Sequence, residues 1–268
     1  MGIVIRSKIN ELQRDLPEGL LATAAWLKKK GYSDQLLKKY REAGWLDSPA
    51  HGVYRKPGPP LKWQHVVYSL GQMLERHPHV GGLSALELRG YAHFLKPRGP
   101  ETIHLYCEKR LPAWVDKLKL RERFTEHRDR LFATTGTRDA LHDGLSLEPW
   151  GPWDWDLVYS TPEQAILEFL DEVPARQSVE HADALLAGLT DLSSRRLLKL
   201  LAACRSVKVK RLFLALASRH GHTWAKSVIN AADRGEVDIG KGKRSLVPGG
   251  KLHPKYLITL PEVPDVQR

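Results

Sequence analysis

The side-chain groupings with the most potential for chemistry are two histidine pairs and one aspartate pair. The histidines stand in HPH, residues 77–79, and in HGH, residues 220–222, and neither has the HExxH spacing that places two zinc ligands on one helix face. Asp154 and Asp156 stand among three tryptophans in WGPWDWD, residues 150–156, where the aromatic crowding favours a structural role. Such a pair could hold a metal ion, but Mg²⁺ sites usually need further ligands. The GxSxG elbow and the kinase loops are absent too, so we predict no enzyme, no metal and no cofactor.

A second grouping, GKGKR at residues 240–244 with Gly249, Gly250 and Lys251 after it, combines glycine with cations. Glycines among lysines let backbone amides approach an anion, as in phosphate-binding nests. The run is not a Walker A loop, because the GxxxxGK[ST] spacing is absent. The alternative is a solvated basic face that binds nothing.

This grouping belongs to a basic C-terminal third. From Arg195 to Lys255 there are fifteen lysines and arginines against three acidic residues, whereas residues 96–190 are net acidic. A basic face of this kind attracts nucleic acid or an acidic partner. The predicted basic patch consists of Arg195, Arg196, Lys199, Lys208, Lys210, Arg211, Lys241, Lys243, Arg244 and Lys251.

The residues best placed to read DNA lie on a short predicted helix, residues 34–43. Its apolar residues recur at spacings of one, three and four, which indicates one buried face opposite a polar one. Glutamine can bond adenine in two places, and lysine can reach guanine or phosphate. Against the alternative of a merely solvated face, we predict DNA contacts by Ser33, Gln35, Lys38 and Lys39 on this helix and by His51 and Arg55 on the wing that follows.

The first 58 residues have the order of a winged helix-turn-helix, which is three short helices and then a two-stranded hairpin. Thr23 and Ser33 are N-cap residues for the second and third helices, and Gly31 is placed to end the second. Residues 45–58 indicate a strand, a turn and a strand ended by proline. We expect the DNA-binding domain at residues 1–58, ending in the linker KPGPP, although its boundary could extend to about residue 95.

The rest of the chain, residues 59–268, is predicted to form a larger mixed α/β domain with a basic surface, so the expected fold class is α+β. Helical patterns cover residues 63–76, 84–91, 179–188, 192–204 and 208–220, and alternating patterns indicate strands at 102–106, 245–247 and 256–260. Thr161, Pro162 and Gln164 have the types expected for an N-cap, a first-position proline and a capping-box partner. They predict a further helix that runs to about Phe169.

The net charge of +11 and the pI near 9.6 imply attraction to polyanions, whether DNA, RNA or anionic membranes. Cys107 and Cys204 are too few and too far apart for a disulfide framework or a CxxC metal site, so we expect two buried, reduced thiols. The sequence has no signal-peptide pattern and no apolar run of membrane length. We therefore expect a cytoplasmic protein that makes no contact with membranes.

Several blocks of the sequence resemble the AbiEi antitoxins. Residues 16–46, 52–58 and 80–95 are similar to the N-terminal winged-helix domain of that family, and residues 160–174, 204–217 and 240–261 to its C-terminal antitoxin domain. The blocks occur in the family's order and span nearly the whole chain. Residues 121–155 match weakly, so no site is assigned there.

The resemblance implies a type IV toxin–antitoxin system, in which the antitoxin opposes a nucleotidyltransferase-like AbiEii toxin without forming a stable complex with it. It also implies autoregulation, in which the winged helix binds inverted repeats in the operon promoter and represses transcription. The partners expected from the resemblance are thus double-stranded promoter DNA and, functionally, the toxin. The matching blocks support Lys38, Lys39 and Arg41 in the DNA-reading helix and Lys208, Lys210 and Arg211 in the C-terminal domain.

Two rival hypotheses from other classes remain. The first is an RNA- or tRNA-binding protein, or an enzyme that modifies RNA, which uses the C-terminal basic patch; exposed aromatic side chains for base stacking would favour it. The second is a nucleotide-dependent enzyme. That activity needs nucleotide and Mg²⁺ binding, for which the sequence contains no motif.

Overall fold

A computed structural model describes residues 2–74, 78–91, 101–132, 143–152 and 155–261. Four predicted features extend outside the described residues. The parts that lie outside are His77 of the HPH pair, Asp154 of the aspartate pair, residues 75–76 of a predicted helix and residues 92–95 of a block that resembles the family. Contacts divide the chain into an N-terminal unit (Met1–His79, Glu101–Glu126 and Glu148–Leu157) and a C-terminal unit (Val80–Pro100, His127–Leu147 and Val158–Arg268). The first break between the units follows His79, and the predicted domain boundary at residue 58 stays a prediction.

The N-terminal unit contains a winged helix-turn-helix. Its elements are helix α1 (Gly2–Asp15), strand β1 (Ala22–Thr23), helices α2 (Ala24–Lys29) and α3 (Asp34–Glu42), and strands β2 (Asp47–Ala50) and β3 (Val53–Arg55). The three strands form an antiparallel sheet in the order β1-β3-β2, with Ala22 opposite Tyr54. Helix α4 (Trp63–Leu74) follows. The predicted order of helices and hairpin is confirmed, whereas the two-residue strand β1 was not predicted.

Side-chain caps set where α2 and α3 begin. The Thr23 hydroxyl oxygen accepts a hydrogen bond from the Trp26 amide at 3.2 Å, and the Ser33 hydroxyl oxygen accepts one from the Leu36 amide at 3.3 Å. Each cap satisfies an amide that has no partner within its own helix. Gly31 adopts a φ of +86°, which an L side chain disfavours, in the turn between the two helices. Both predicted caps and the predicted stop are confirmed.

The core of the N-terminal unit includes a residue from far along the chain. Leu16, Leu27 and Leu37 are completely buried together, and Trp155 belongs to the same cluster with 5% of its surface exposed. The Trp155 indole stacks on the Tyr68 ring at a centroid distance of 4.1 Å and an interplanar angle of 6°. The structural role expected of the WGPWDWD tryptophans is therefore seen for Trp155.

His65, on α4, lies in a tight aromatic site of this unit. Its ring meets the Trp150 and Trp155 rings edge to face, at centroid distances of 4.8 and 6.0 Å. A Cβ atom at Gly19 would lie 2.5 Å from the imidazole, so no larger residue fits there. The His65 Nδ1 atom accepts a hydrogen bond from the Lys62 amide at 2.9 Å, which requires the proton to be on Nε2 in the neutral ring.

We expect His65 to make stability fall in mild acid. Burial lowers the pKa of His65 below its ordinary value of 6.5, and the positive charges of Arg55 and Lys62 lower it further. Below pH 6.5 the unfolded chain therefore binds more protons at this residue than the folded protein does. The His65 contribution is present in full above pH 6.5 and is lost as the pH falls through the lowered folded-state pKa.

The measurement is urea unfolding at a series of pH values from 7.5 to 5, for the native sequence and for His65→Asn. The asparagine Oδ1, which takes the place of Nδ1, can still accept the Lys62 amide hydrogen but does not titrate. The native protein should lose more unfolding free energy between pH 7.5 and 5 than the variant loses. Parallel pH profiles for the two proteins would show that His65 titrates alike in the folded and unfolded states.

Five further strands are β4 (His79–Val80), β5 (Thr102–Cys107), β6 (Arg123–Arg128), β7 (Leu145–Trp150) and β8 (Trp155–Ser160). They form a second sheet with the order β6-β5-β4-β8-β7. Strand β4 pairs in parallel with β8 through Val80 and Tyr159. The strand predicted from the alternating pattern at residues 102–106 is confirmed, and it is β5.

The C-terminal unit is mainly helical in its described part. Its helices are α5 (Gly82–Leu88), α6 (Pro162–Asp171), α7 (Val179–Gly188), α8 (Ser194–Ala203), α9 (Val207–Ala217) and α10 (Thr223–Asp233), and a short antiparallel pair, β9 (Lys251–Leu252) and β10 (Thr259–Leu260), follows. The mixed α/β class is confirmed. Helix α10 was not predicted, because its threonine, serine, valine, isoleucine and asparagine are weak helix formers. The strand predicted at residues 245–247 is absent from the described structure, where an isolated bridge joins Arg244 to Ile258.

A buried carboxylate ties α6 to its surroundings. Glu168 is 1% exposed, and its carboxylate accepts hydrogen bonds from the Gly82 amide and the Ser160 hydroxyl, both at 2.8 Å, and from the Gln164 Nε2 atom at 2.7 Å. The predicted capping box at the start of α6 is therefore wrong. Thr161 has the N-cap position but its side chain makes no capping bond. The Thr161 amide, which Gln164 would accept in a capping box, donates to the Gly144 carbonyl at 2.8 Å instead, and the Gln164 Nε2 atom donates to Glu168.

Candidate nucleic-acid interface

Helix α3 presents the predicted DNA-reading surface to solvent. Its apolar side chains, Leu37 and Tyr40, are buried in the core of the N-terminal unit. The amphipathic pattern thus places the polar residues on the opposite, accessible side, as the recognition helix of a helix-turn-helix requires. Exposed on and beside the helix are Ser33, Gln35, Lys38, Lys39 and Arg41.

Most of these side chains have no strong partner within the protein. Gln35, Lys39 and Arg41 form no side-chain hydrogen bond or ion pair with any described residue. Lys38 forms one exposed pair with Glu42, at 3.8 Å, which is a weak interaction in water. The side chains can therefore bind an external ligand at little cost in internal contacts.

The wing residues differ from each other. His51 is exposed in the turn of the β2-β3 hairpin, where Gly52 has a φ of +71°. The Arg55 side chain is only 14% exposed, its Nη1 atom donates to the Pro59 carbonyl at 2.8 Å, and its Nη2 atom lies 3.7 Å from the Asp47 carboxylate. These contacts hold the hairpin and the chain after it, so Arg55 has a structural role in the wing. The DNA contacts of His51 and Arg55 stay predictions.

Trp45 is a surface residue, for which the sequence pattern indicated only a place in a strand. It precedes β2 and is 47% exposed, directly after Gly44, whose φ is +72°. Its amide donates to the Tyr40 carbonyl at 2.8 Å, so Trp45 is an exposed aromatic residue at the C-terminal end of α3. The signal in the sequence was the glycine after a helix pattern, which ends the helix before the tryptophan can join its buried face.

The predicted basic patch of the C-terminal unit is not one continuous exposed surface. Lys210 and Arg211 are buried, at 6% and 1% exposure, because α9 is enclosed on nearly all sides by the core. Arg196 lies 3.0 Å from Glu163, and Lys199 pairs with Asp143, so acidic neighbours offset both charges. The exposed members of the patch are Arg195, Lys199, Lys241, Lys243, Arg244 and Lys251.

Lys208 has a structural role in this arrangement. Its Nζ atom donates to the Asp171 and Val173 carbonyls, at 2.5 and 2.8 Å, and lies 3.6 Å from the Asp171 carboxylate. A lysine at the last carbonyls of a helix satisfies acceptors that have no partner within the helix. Burial lowers the pKa of Lys208, although Asp171 opposes the shift. The side chain stabilises the end of α6 rather than offering a free surface charge.

The HGH histidines also make internal contacts. His220 Nε2 lies 3.0 Å from the Asp183 carboxylate, and His222 Nε2 lies 3.0 Å from the Leu186 carbonyl. Arg219 also lies near Asp183, at 3.4 Å from its carboxylate. Both histidine bonds join α7 to the turn after α9, so the two histidines have a structural role in the C-terminal unit. The two cysteines are free and buried as predicted, and burial raises the pKa of Cys204.

An exposed polar helix in a helix-turn-helix, followed by a wing, is typical of DNA-binding proteins, and comparison with known proteins gives the class and the family. A model of "Transcriptional regulator, AbiEi antitoxin N-terminal domain" matches residues 5–97, and a model of "Transcriptional regulator, AbiEi antitoxin, Type IV TA system" matches residues 100–261. The chain belongs to the AbiEi family of regulatory antitoxins of type IV toxin–antitoxin systems. The resemblance identified in the sequence is thereby confirmed.

A solved structure supports the fold over most of the chain. The crystal structure of the RV2827C protein from Mycobacterium tuberculosis is similar with a TM-score of 0.54 and 19% sequence identity, covering 93% of this chain and 88% of that one. At this identity the likeness concerns the fold. No curated protein matches the chain. No helix in the described part of the chain is long and apolar enough to span a membrane.

Proposed function

We propose that the protein binds double-stranded promoter DNA through α3 and represses transcription of its own operon in the cytoplasm. The observation that carries this proposal is that Gln35, Lys38 and Lys39 are exposed on α3. On the opposite face of the helix, Leu37 and Tyr40 are buried in the core and hold the helix in this orientation. In the helix-turn-helix geometry, the second helix enters the major groove and its outer side chains meet the base edges.

The residue types divide the work between base reading and backbone attraction. Gln35 can donate to and accept from adenine at two atoms, which distinguishes one base pair from another. Lys38, Lys39 and Arg41 are cations that can bind phosphate oxygens and fix the register of the helix. The net charge of +11 adds a long-range attraction that accelerates the encounter with DNA.

We further propose that the protein opposes an AbiEii-like nucleotidyltransferase toxin without holding it in a stable complex. Membership of the AbiEi family supports the pairing with a type IV toxin. Co-expression of the two proteins should restore growth, while size-exclusion chromatography of the purified mixture should show two separate peaks. A single peak that contains both proteins would replace this mechanism with direct inhibition.

The DNA-binding proposal is tested by titrating the purified protein with three ligands over a series of salt concentrations. The ligands are a duplex of the operon's own promoter, a scrambled duplex of the same length and base composition, and a tRNA pool. We expect the promoter duplex to bind about 10³-fold or more tightly than the scrambled duplex at physiological salt. The affinity for DNA should also fall steeply with salt, because bound cations release counterions from the phosphates.

Equal affinity for the two duplexes would contradict sequence reading by α3. Tighter binding to the tRNA pool than to the promoter would favour the rival RNA-binding function and direct attention to the C-terminal unit. A reporter gene behind the same promoter tests repression in cells. Its expression should fall when the protein is supplied in trans, and unchanged expression would contradict autorepression.

A further inference from the structure

A buried arginine lies directly beneath the GKGKR loop, residues 240–244. Arg211, on α9, donates from Nε to the Ile239 carbonyl at 2.7 Å and from Nη1 to the Gly242 and Leu257 carbonyls at 2.5 and 3.2 Å. Its side chain forms no ion pair with a carboxylate in the described residues. A guanidinium with several fixed donors can hold several acceptors at once, so Arg211 sets the backbone path of the loop from the inside.

The loop backbone leaves its amides available. Gly240 and Gly242 have φ angles of +66° and +77°, in the left-handed region that favours glycine. The amides of Lys241, Gly242 and Lys243 donate to no described residue. The Gly242 carbonyl, in contrast, is engaged by Arg211. Free consecutive amides in a turn with left-handed glycines are the elements of an anion-binding nest.

A strained residue supports the loop at its base. Leu257 has a φ of +51°, which is uncommon for any residue except glycine. Its carbonyl accepts from the Arg244 amide at 2.8 Å as well as from Arg211. Backbone strain of this kind persists only where the surroundings hold it, and it is concentrated at functional sites.

The side chains of the loop add uncompensated positive charge. Lys241, Lys243 and Arg244 are exposed, and none forms an ion pair with a described residue. The acidic residue nearest in sequence, Asp238, uses its Oδ1 atom to accept the Gly240 amide hydrogen at 2.8 Å. Three free cations around free amides give a site suited to a phosphate group.

We propose that the GKGKR loop is a preformed site for a backbone phosphate of duplex DNA, and that Arg211 is its positioning residue. The choice of duplex DNA as the source of the phosphate rests on the proposed function. It is also favoured by the stretch of chain that forms the loop and its base, because Tyr256 is the only Phe, Tyr or Trp between residues 239 and 261 and it is buried, so it cannot stack on a base. The site adds affinity without reading sequence.

The phosphate site itself is tested without nucleic acid. Inorganic phosphate is titrated into the ¹⁵N-labelled protein, and sodium chloride at equal ionic strength is the control. We expect the amide resonances of Lys241, Gly242 and Lys243 to shift with phosphate and not with chloride. Equal responses to the two salts, or none, overturn the proposed site.

Two variants connect this response to the loop geometry. In Gly242→Ala the new Cβ atom meets nothing within 4 Å, so the substitution disfavours the left-handed backbone without a clash and without a change in charge. Arg211→Lys keeps the buried charge but cannot reach three carbonyls at once. Both variants should lose the phosphate-specific shifts, with folding checked by the remaining spectrum. Retention of those shifts in folded Gly242→Ala overturns the role of the loop backbone.

Duplex binding then tests the source of the phosphate. Lys241→Ala/Lys243→Ala should lower the slope of log affinity against log salt by about 1.8, if each lysine neutralises one phosphate of duplex DNA. The matched control is Arg205→Ala/Lys226→Ala, which removes two exposed cations outside the loop. The loop variant should keep the preference for promoter over scrambled duplex, which separates this proposal from the reading by α3. An unchanged slope for duplex DNA, or a reduced affinity for tRNA alone, overturns duplex DNA as the ligand.

Discussion

With Gln35, Lys38 and Lys39 replaced together by alanine, the affinity for the promoter duplex is expected to fall about a hundred- to a thousandfold at physiological salt. The loss of one bidentate base contact accounts for about 1–3 kcal/mol of discrimination, and the loss of two phosphate contacts lowers the salt slope by about 1.8. The preference for promoter over scrambled duplex should largely disappear. Electrophoretic or fluorescence titration at several salt concentrations measures each of these effects.

The fold should survive this triple substitution, because all three side chains are exposed and alanine is the best helix former. The matched control is Lys62→Ala/Gln72→Ala/Lys109→Ala, which likewise removes one glutamine and two lysines, from exposed positions of the N-terminal unit outside α3. The control variant should keep its preference for the promoter. Equal losses in both triple variants would mean that net charge, and not the α3 surface, determines binding.

Glu168→Leu is expected to lower the free energy of unfolding by about 3–5 kcal/mol, since removal of a buried charged partner leaves its donors unsatisfied. The Gly82 amide, the Ser160 hydroxyl and the Gln164 amide group would all lose an acceptor in a site closed to water. Leucine has a similar size, so the loss would reflect the hydrogen bonds more than a cavity. Urea unfolding followed by circular dichroism measures it.

Glu168→Gln is the control for this substitution. Its carbonyl oxygen can still accept hydrogen bonds, and the Gln164 side chain can rotate its amide so that the two groups remain complementary. We expect a smaller loss, of about 1–2 kcal/mol, from the change of a charged acceptor to a neutral one. Equal stability of the leucine variant and the native protein would show that the three donors find other partners.

Short-range features of the fold could be predicted from the sequence. The caps at Thr23 and Ser33 and the stop at Gly31 depend on atoms within three or four residues, so the local sequence contains the whole signal. The exposed face of α3 was predictable for the same reason, because helical periodicity alone separates Gln35 and Lys38 from Leu37.

Features that depend on packing could not be predicted. Lys210 and Arg211 were expected on a basic surface, because cations are seldom buried and the local pattern does not show that α9 is enclosed. Arg211 is stable there only because distant carbonyls, up to that of Leu257, satisfy its donors. Likewise, the amide of Gln164 is directed to Glu168 by a buried network that includes Gly82, 86 residues before Glu168 in the chain.

The position of Trp155 in the core of the N-terminal unit affects the order in which the newborn protein matures on the ribosome. Leu16, Leu27 and Leu37 are synthesised early, but the indole that completes their cluster is made more than a hundred residues later. At about 5–20 residues per second, this delay lasts roughly 6–25 s after Leu37 has been added. A nascent chain therefore contains the residues of α3 long before the tryptophan that completes the core behind them has been added. We expect the N-terminal unit to reach its full stability only in molecules whose translation has passed residue 155.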